Sequence, residues 1–140
     1  MEDKRYVSVL IPYKVKDKKV FVFLQKRDNK AKVLPDCFSF FGGKIELGEK
    51  PEEALVREIK EELNFNLKEY LYLGQYTSDA SILIVLYVYF AKVDDDFENN
   101  VTILEGEYGK FFSENEMEKE LKLINSDKKI LKDLFGKLSA

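Results

Sequence analysis

Histidine is absent from this 140-residue chain, and its absence removes whole classes of chemistry. Ser-His-Asp and Cys-His catalysis need an imidazole, and so do histidine-bearing zinc sites. A general base must then be a carboxylate or, failing that, a lysine or tyrosine. Cysteine is nearly absent too. Cys37 stands alone, so neither an internal disulfide nor a CxxC redox pair can form. Its place before a glycine pair reads as a small, partly buried packing residue, not a nucleophile. There is no large polybasic block, and the net charge is −3 with a pI near 5.2. That balance argues against a nucleic-acid polymer as partner. No apolar run is long enough to cross a bilayer as a helix. The N-terminus has no secretory pattern, so the expected location is cytoplasmic, with no membrane partner.

What is present suits a globular protein. Hydrophobic residues make up 45% of the chain and aromatics 14%, enough for a sizeable core. The length fits one domain over residues 1–140. Arg5 to Tyr13 and Val20 to Arg27 read as a hairpin of two strands, and Phe38 to Phe41 as a short strand. A polar loop, 28–36, lies between them. Tyr70 to Thr77 and Ala80 to Val93 read as two more strands, the second rich in Ile, Val, Tyr and Phe. Asp94 to Asn100 reads as an acidic loop and Lys110 to Phe112 as a short strand. Ser113 and Glu116 form a capping-box pattern for a helix to about Leu123. Ser126 or Asp127 is the expected cap of a last helix running to about Leu138. The class is α/β with a mixed sheet.

The most informative stretch is 43–65. Pro51 suits a first helical position, and Glu52 and Glu53 suit the positive end of a helix dipole. At roughly 100° per residue, Glu58, Glu61 and Glu62 fall on one arc. Leu55, Val56, Ile59 and Leu63 share an adjacent apolar arc. Three acids on one side of a helix repel each other unless a cation sits among them, and Mg²⁺ or Mn²⁺ prefers such oxygen donors. A P-loop reading fails. Gly43 and Gly48 have its glycine spacing, but Glu49 and Lys50 stand where lysine and a hydroxyl residue are needed.

The same stretch resembles the signature of the Nudix hydrolases. Gly43, Glu49, Arg57, Glu58, Ile59, Glu61, Glu62 and Phe65 occupy its places, while Asn64 replaces the final glycine. Asparagine tolerates the left-handed conformation that this helix end needs. The resemblance implies an α/β/α sandwich with a mixed central sheet, and a Mg²⁺-dependent hydrolase, with Mn²⁺ as an alternative cofactor. Its substrate would be a small molecule, a nucleoside diphosphate linked to another group. The alternative is a binding module that keeps the fold without turnover.

On this reading Glu62 is the main metal ligand and Glu58 the second. Glu61 is a ligand or base, and the Gly42 carbonyl is a backbone ligand. Arg57 assists catalysis by bracing the loop through Glu49. Glu105, in a late loop similar to that of triphosphate-cleaving relatives, is a further catalytic carboxylate, with Glu107 as its rival. Arg27 is expected to meet substrate phosphate. Phe38, Phe40 and Tyr76 are candidates for stacking on a base. A homodimer is left open.

Overall fold

A computed structural model describes residues 4–32 and 34–139, apart from the side chain at position 82. Seven strands form one mixed sheet among these residues. β1 (Arg5–Lys16) and β2 (Lys19–Lys26) make a hairpin whose turn residues Asp17 and Lys18 have positive φ. Only Tyr13–Lys16 of β1 pair with β2. Beyond that the two strands part. β3 (Phe38–Ser39) pairs with the end of β2, and β4 (Phe41–Lys44) with Val7–Leu10 of β1. The glycine pair is therefore held in the fork of the sheet. On its other edge β1 runs parallel to β6 (Ser81–Lys92), which pairs antiparallel with β5 (Leu71–Ser78). β7 (Tyr108–Ser113) lies along the outer edge of β2.

Alternation along β1 sends Val9 and Ile11 to one face and Leu10 to the other. Both faces are covered. α1 (Pro51–Leu63) closes one through Leu55, Ile59 and Leu63, all fully buried. Each contributes roughly 1.5–3 kcal/mol by leaving water. Val56 departs from the expected apolar arc and is 37% exposed. The opposite face is covered by α4 (Asn125–Leu138) through Ile130, Leu131, Leu134 and Phe135, together with Met117 of α3 (Glu114–Lys119). The architecture is the expected α/β/α sandwich with a mixed central sheet.

Three local expectations need correction. Residues 94–100 are not all loop: Phe97–Asn100 form a short helix, α2, because Phe97 is buried against Phe23 and Phe65. α3 begins with the expected capping box, Ser113 Oγ accepting from the Glu116 amide, but ends at Lys119. The following segment leaves the helix, and the Lys122 carbonyl accepts from the Phe38 amide at 2.7 Å. The cap of α4 is Ile124, so Asp127 is the third residue of the helix and is buried.

Candidate metal and nucleotide site

The site is built where β4 meets α1. Gly42 has φ +140°, and a Cβ there would collide with the Ser8 carbonyl on β1, so only glycine fits. This close approach brings the Gly42 amide to Glu62 Oε2 at 2.6 Å. Glu62 is 4% exposed. Burial above all, with Glu105 and Glu58 adding to it, pushes its carboxyl up to about 9 against the opposing Gly42 amide. The Glu105 carboxylate is near enough to push the Glu62 carboxyl in the same direction as burial does. Carboxyls that raise one another in this way favour a bound proton, or a cation in its place.

Arg57 organises the entry to α1. Its Nε and Nη2 hold the two oxygens of Glu49 at 2.8 and 2.9 Å, and Nη2 also donates to the Lys44 carbonyl at 3.0 Å. Glu49 accepts from the Glu46 amide as well. Nη1 of Arg57 holds Glu58 at 2.9 Å and lies 3.5 Å from Glu61. The Glu58 carboxylate also packs over Gly43, where a Cβ would come within 2.5 Å of it. Burial raises the Glu58 pKa despite the lowering effect of Arg57. Glu61 is the exposed member of the set, its side chain 54% accessible. At the far end of α1, Asn64 takes φ 51°, ψ 40°, and its amide bonds the Lys60 carbonyl.

Among the described residues no three acids stand ready around one point as a finished metal cage. The donor chemistry nonetheless fits a hard divalent cation. Glu58, Glu62 and Glu105 act on one another electrostatically, and all offer oxygen.

Glu105 and Glu107 are separated by their surroundings. Glu105 lines a small cavity of about 60 Å³ with Glu62, Gln25 and Arg27. Glu107 is turned to Lys26, at 3.8 Å. Arg27 lines both this cavity and a larger cleft of about 530 Å³. That cleft begins at Gly42 and Gly43, is walled by Phe40, Ile84 and Leu86, and reaches Asp127. Of the three aromatic candidates only Phe40 lines it. Phe38 packs in the core against Phe112, and the Tyr76 hydroxyl donates to Asp133 on α4. Arg5, Lys44 and Asp127 are cleft residues that the sequence reading did not select. Their one-dimensional signal was nil, because strand pairing and helix docking bring them together.

Comparisons with known proteins agree with this fold. The chain is 38% identical over 85 residues to a provisionally named 8-oxo-dGTP diphosphatase, YtkD, of Bacillus subtilis (strain 168), covering 56% of this chain and 54% of that one. It is 41% identical over 66 residues to the RNA pyrophosphohydrolase of a Nitratiruptor species, covering 45% and 40%. It is 36% identical over 70 residues to the dihydroneopterin triphosphate diphosphatase of Escherichia coli (strain K12), covering 48% and 43%. The matches span about half the length of these curated relatives or less. A mutT/nudix family protein from Listeria innocua has the same fold, with a TM-score of 0.80 at 20% identity over 99% of this chain and 96% of that one. So does a MutT NUDIX hydrolase from Burkholderia pseudomallei, with a TM-score of 0.74 at 24% identity over 95% and 99%. The model of the NUDIX domain matches residues 4–134, nearly the whole chain, and the protein belongs to the NUDIX domain family.

Proposed function

We propose that the protein is a Mg²⁺-dependent pyrophosphohydrolase that cleaves a nucleoside triphosphate, ordinary or damaged, to the monophosphate and pyrophosphate. One observation carries this reading. The buried Glu62 carboxyl lines one small cavity with Glu105 and Arg27, beside a larger cleft that Arg27 also lines. Glu62, Glu58 and the Gly42 carbonyl would hold the ion, with Glu61 as a further ligand. Bound there, Mg²⁺ supplies neutralisation of the diphosphate oxygens and lowers the pKa of water.

The chain's own residues do the rest. Arg27 meets the phosphates at the junction of the two cavities. Phe40, Ile84 and Leu86 hold the nucleoside and exclude water. Glu105 accepts the proton of the attacking water as its oxygen bonds to phosphorus and the bridging P–O bond breaks. Arg57 fixes Glu58 and Glu49 without touching substrate, so the acids are oriented before substrate arrives. Two of the relatives are named for triphosphate substrates, which supports this choice.

The test is a panel of nucleoside triphosphates, nucleotide sugars and ADP-ribose with Mg²⁺, scored for phosphate against pyrophosphate release. Hydrolysis in ¹⁸O-labelled water identifies the bond broken. Glu62→Gln is expected to lower kcat by on the order of 10³, and Glu105→Gln by about 10²–10⁴ with little change in KM. Glu107→Gln should be mild. Turnover of a sugar-linked diphosphate with triphosphates inert would replace the substrate. No turnover of any member would remove the hydrolase reading. A folded Glu62→Gln variant that keeps more than about a tenth of the activity would remove the ligand assignment.

A further inference from the structure

Lys26 is a buried cation that the hydrolytic machinery does not use. It is 7% exposed and ends β2, one residue before Arg27. A buried ammonium needs a partner, and this one has two carboxylates in reach. Its Nζ donates to Asp36 Oδ1 and lies 3.8 Å from Glu107. The second oxygen of Asp36, Oδ2, accepts from Lys122 Nζ at 2.7 Å. Asp36 thus bridges β2 and the segment after α3. That segment is itself tied to β3, through the Phe38 amide and the Lys122 carbonyl. Lys122 first, and Lys26 second, hold the Asp36 carboxyl down to about 2, so the bridge is ionised at neutral pH.

The bridge stands at the root of a loop that borders both cavities of the site. The outgoing limb, 28–32, places Asp28 and Ala31 on the 60 Å³ cavity. The return limb, 34–37, places Leu34 on the 530 Å³ cleft, beside Arg27. Two backbone hydrogen bonds close the root. The Arg27 amide donates to the Cys37 carbonyl at 2.8 Å, and the Asp36 amide to the Asp28 carbonyl at 2.9 Å. The return limb is strained. Leu34 has φ 50° and Asp36 φ 59°, in the left-handed region that residues with a Cβ avoid. Such residues persist only where their surroundings over-determine them. Within the limb the Cys37 amide reaches the Leu34 carbonyl only at 3.2 Å. The charge-assisted bonds to Asp36 are the strong constraints.

We propose that Asp36 is a positioning residue for substrate binding: bridged between Lys26 and Lys122, it holds the return limb so that Leu34 is seated in the cleft beside Arg27. This rests on the reading of that cleft as the substrate site. Asp36 lines neither cavity, so it acts only through the limb it holds. The chemical step belongs to the acids of α1 and to Glu105. The loop that carries Glu105 keeps its own tie, the Glu107 amide donating to the Lys26 carbonyl at 2.9 Å. Loss of the Asp36 carboxylate therefore weakens binding and leaves the chemistry in place.

The test separates KM from kcat, on the nucleoside triphosphate that the wild type turns over best with Mg²⁺. Asp36→Asn alone leaves the buried Lys26 short of a partner. It is therefore also made together with Lys26→Met, which removes the charge along with its partner, and a thermal melt verifies that the variants fold. Both should raise KM by on the order of 10-fold while kcat stays within about twofold. Lys122→Met, which cuts one arm, should raise KM by about 3-fold. Asp36→Glu keeps the charge and should restore most of the affinity. In a Leu34→Ala background, Asp36→Asn should change KM by less than about twofold, because the limb has nothing left to seat. Hydrogen exchange should quicken at the amides of 34–37 and not in α1 or α4. An unchanged KM in the folded variants, a fall in kcat alone, effects of Leu34→Ala and Asp36→Asn that simply add, or unchanged exchange at 34–37 would overturn the assignment and leave the hydrolase reading standing. A wild type that turns over no nucleotide would remove the reading of the cleft and this inference with it.

Discussion

Single residues set the backbone here through φ. Gly42 is indispensable because its φ of +140° and its contact with Ser8 leave no room for a Cβ. Asn64 shows the softer version of the same demand. Its side chain is exposed, and its φ of 51° is left-handed, so the cost of substitution lies in the backbone and not in packing. Asn64→Gly should be neutral or mildly stabilising, while Asn64→Val should lose about 1–2 kcal/mol, since a β-branched residue resists positive φ. Urea melts of the two variants decide this, and equal midpoints would contradict it.

Elements are joined by Arg57, which ties the start of α1 to the loop before it. Glu49 is the partner most affected. Arg57 first, and the Glu46 amide second, hold its carboxyl down from 4.5 to about 2. A depressed carboxyl contributes stability that is present above its unfolded value and lost as pH falls through the folded one. The wild type should therefore lose stability between about pH 4.5 and about pH 2 through this pair, and Glu49→Gln should lose less over that window. Acid unfolding followed by circular dichroism compares the two. Superimposed acid limbs would show that the pair holds the loop only weakly in solution.

At the scale of the molecule, one sheet presents different chemistry at its two covered faces. α1 brings acids to the fork between β1 and β2, whereas α4 brings Asp127 over the far side of the same sheet. A carboxyl held at about 9 by burial makes the acid site a stored instability that a bound cation would relieve. Adding Mg²⁺ should raise the melting temperature, by the equivalent of about 2.7 kcal/mol at a concentration ~100 times its Kd. Glu62→Gln should melt higher than wild type without metal and gain little from adding it. Differential scanning calorimetry with and without Mg²⁺ measures this, and an equal gain in both proteins would place the ion elsewhere.

Much of this was legible in one dimension because its causes are local. The period of α1, its proline start and its left-handed end all lie within one continuous stretch from Pro51 to Asn64, and the capping box at Ser113 is as local. The pairing of Arg57 with Glu49 also lies within one loop and two helical turns. Other features had no such signal. Phe97 drew its acidic surroundings into a helix only because Phe23 and Phe65 wait for it across the core. Asp127 was one of two expected caps and is instead buried in the first turn, because the paired hydrogen bonds between Asp79 and Ser126 set where α4 begins against the sheet. Glu105 was preferred to Glu107 along the chain by resemblance alone, and the turn before β7 sends one toward Glu62 and the other toward Lys26. Periodicity and capping report what a segment does to itself. Which side chains share a cleft depends on strand order and register, and those are set by burial summed over the whole sheet.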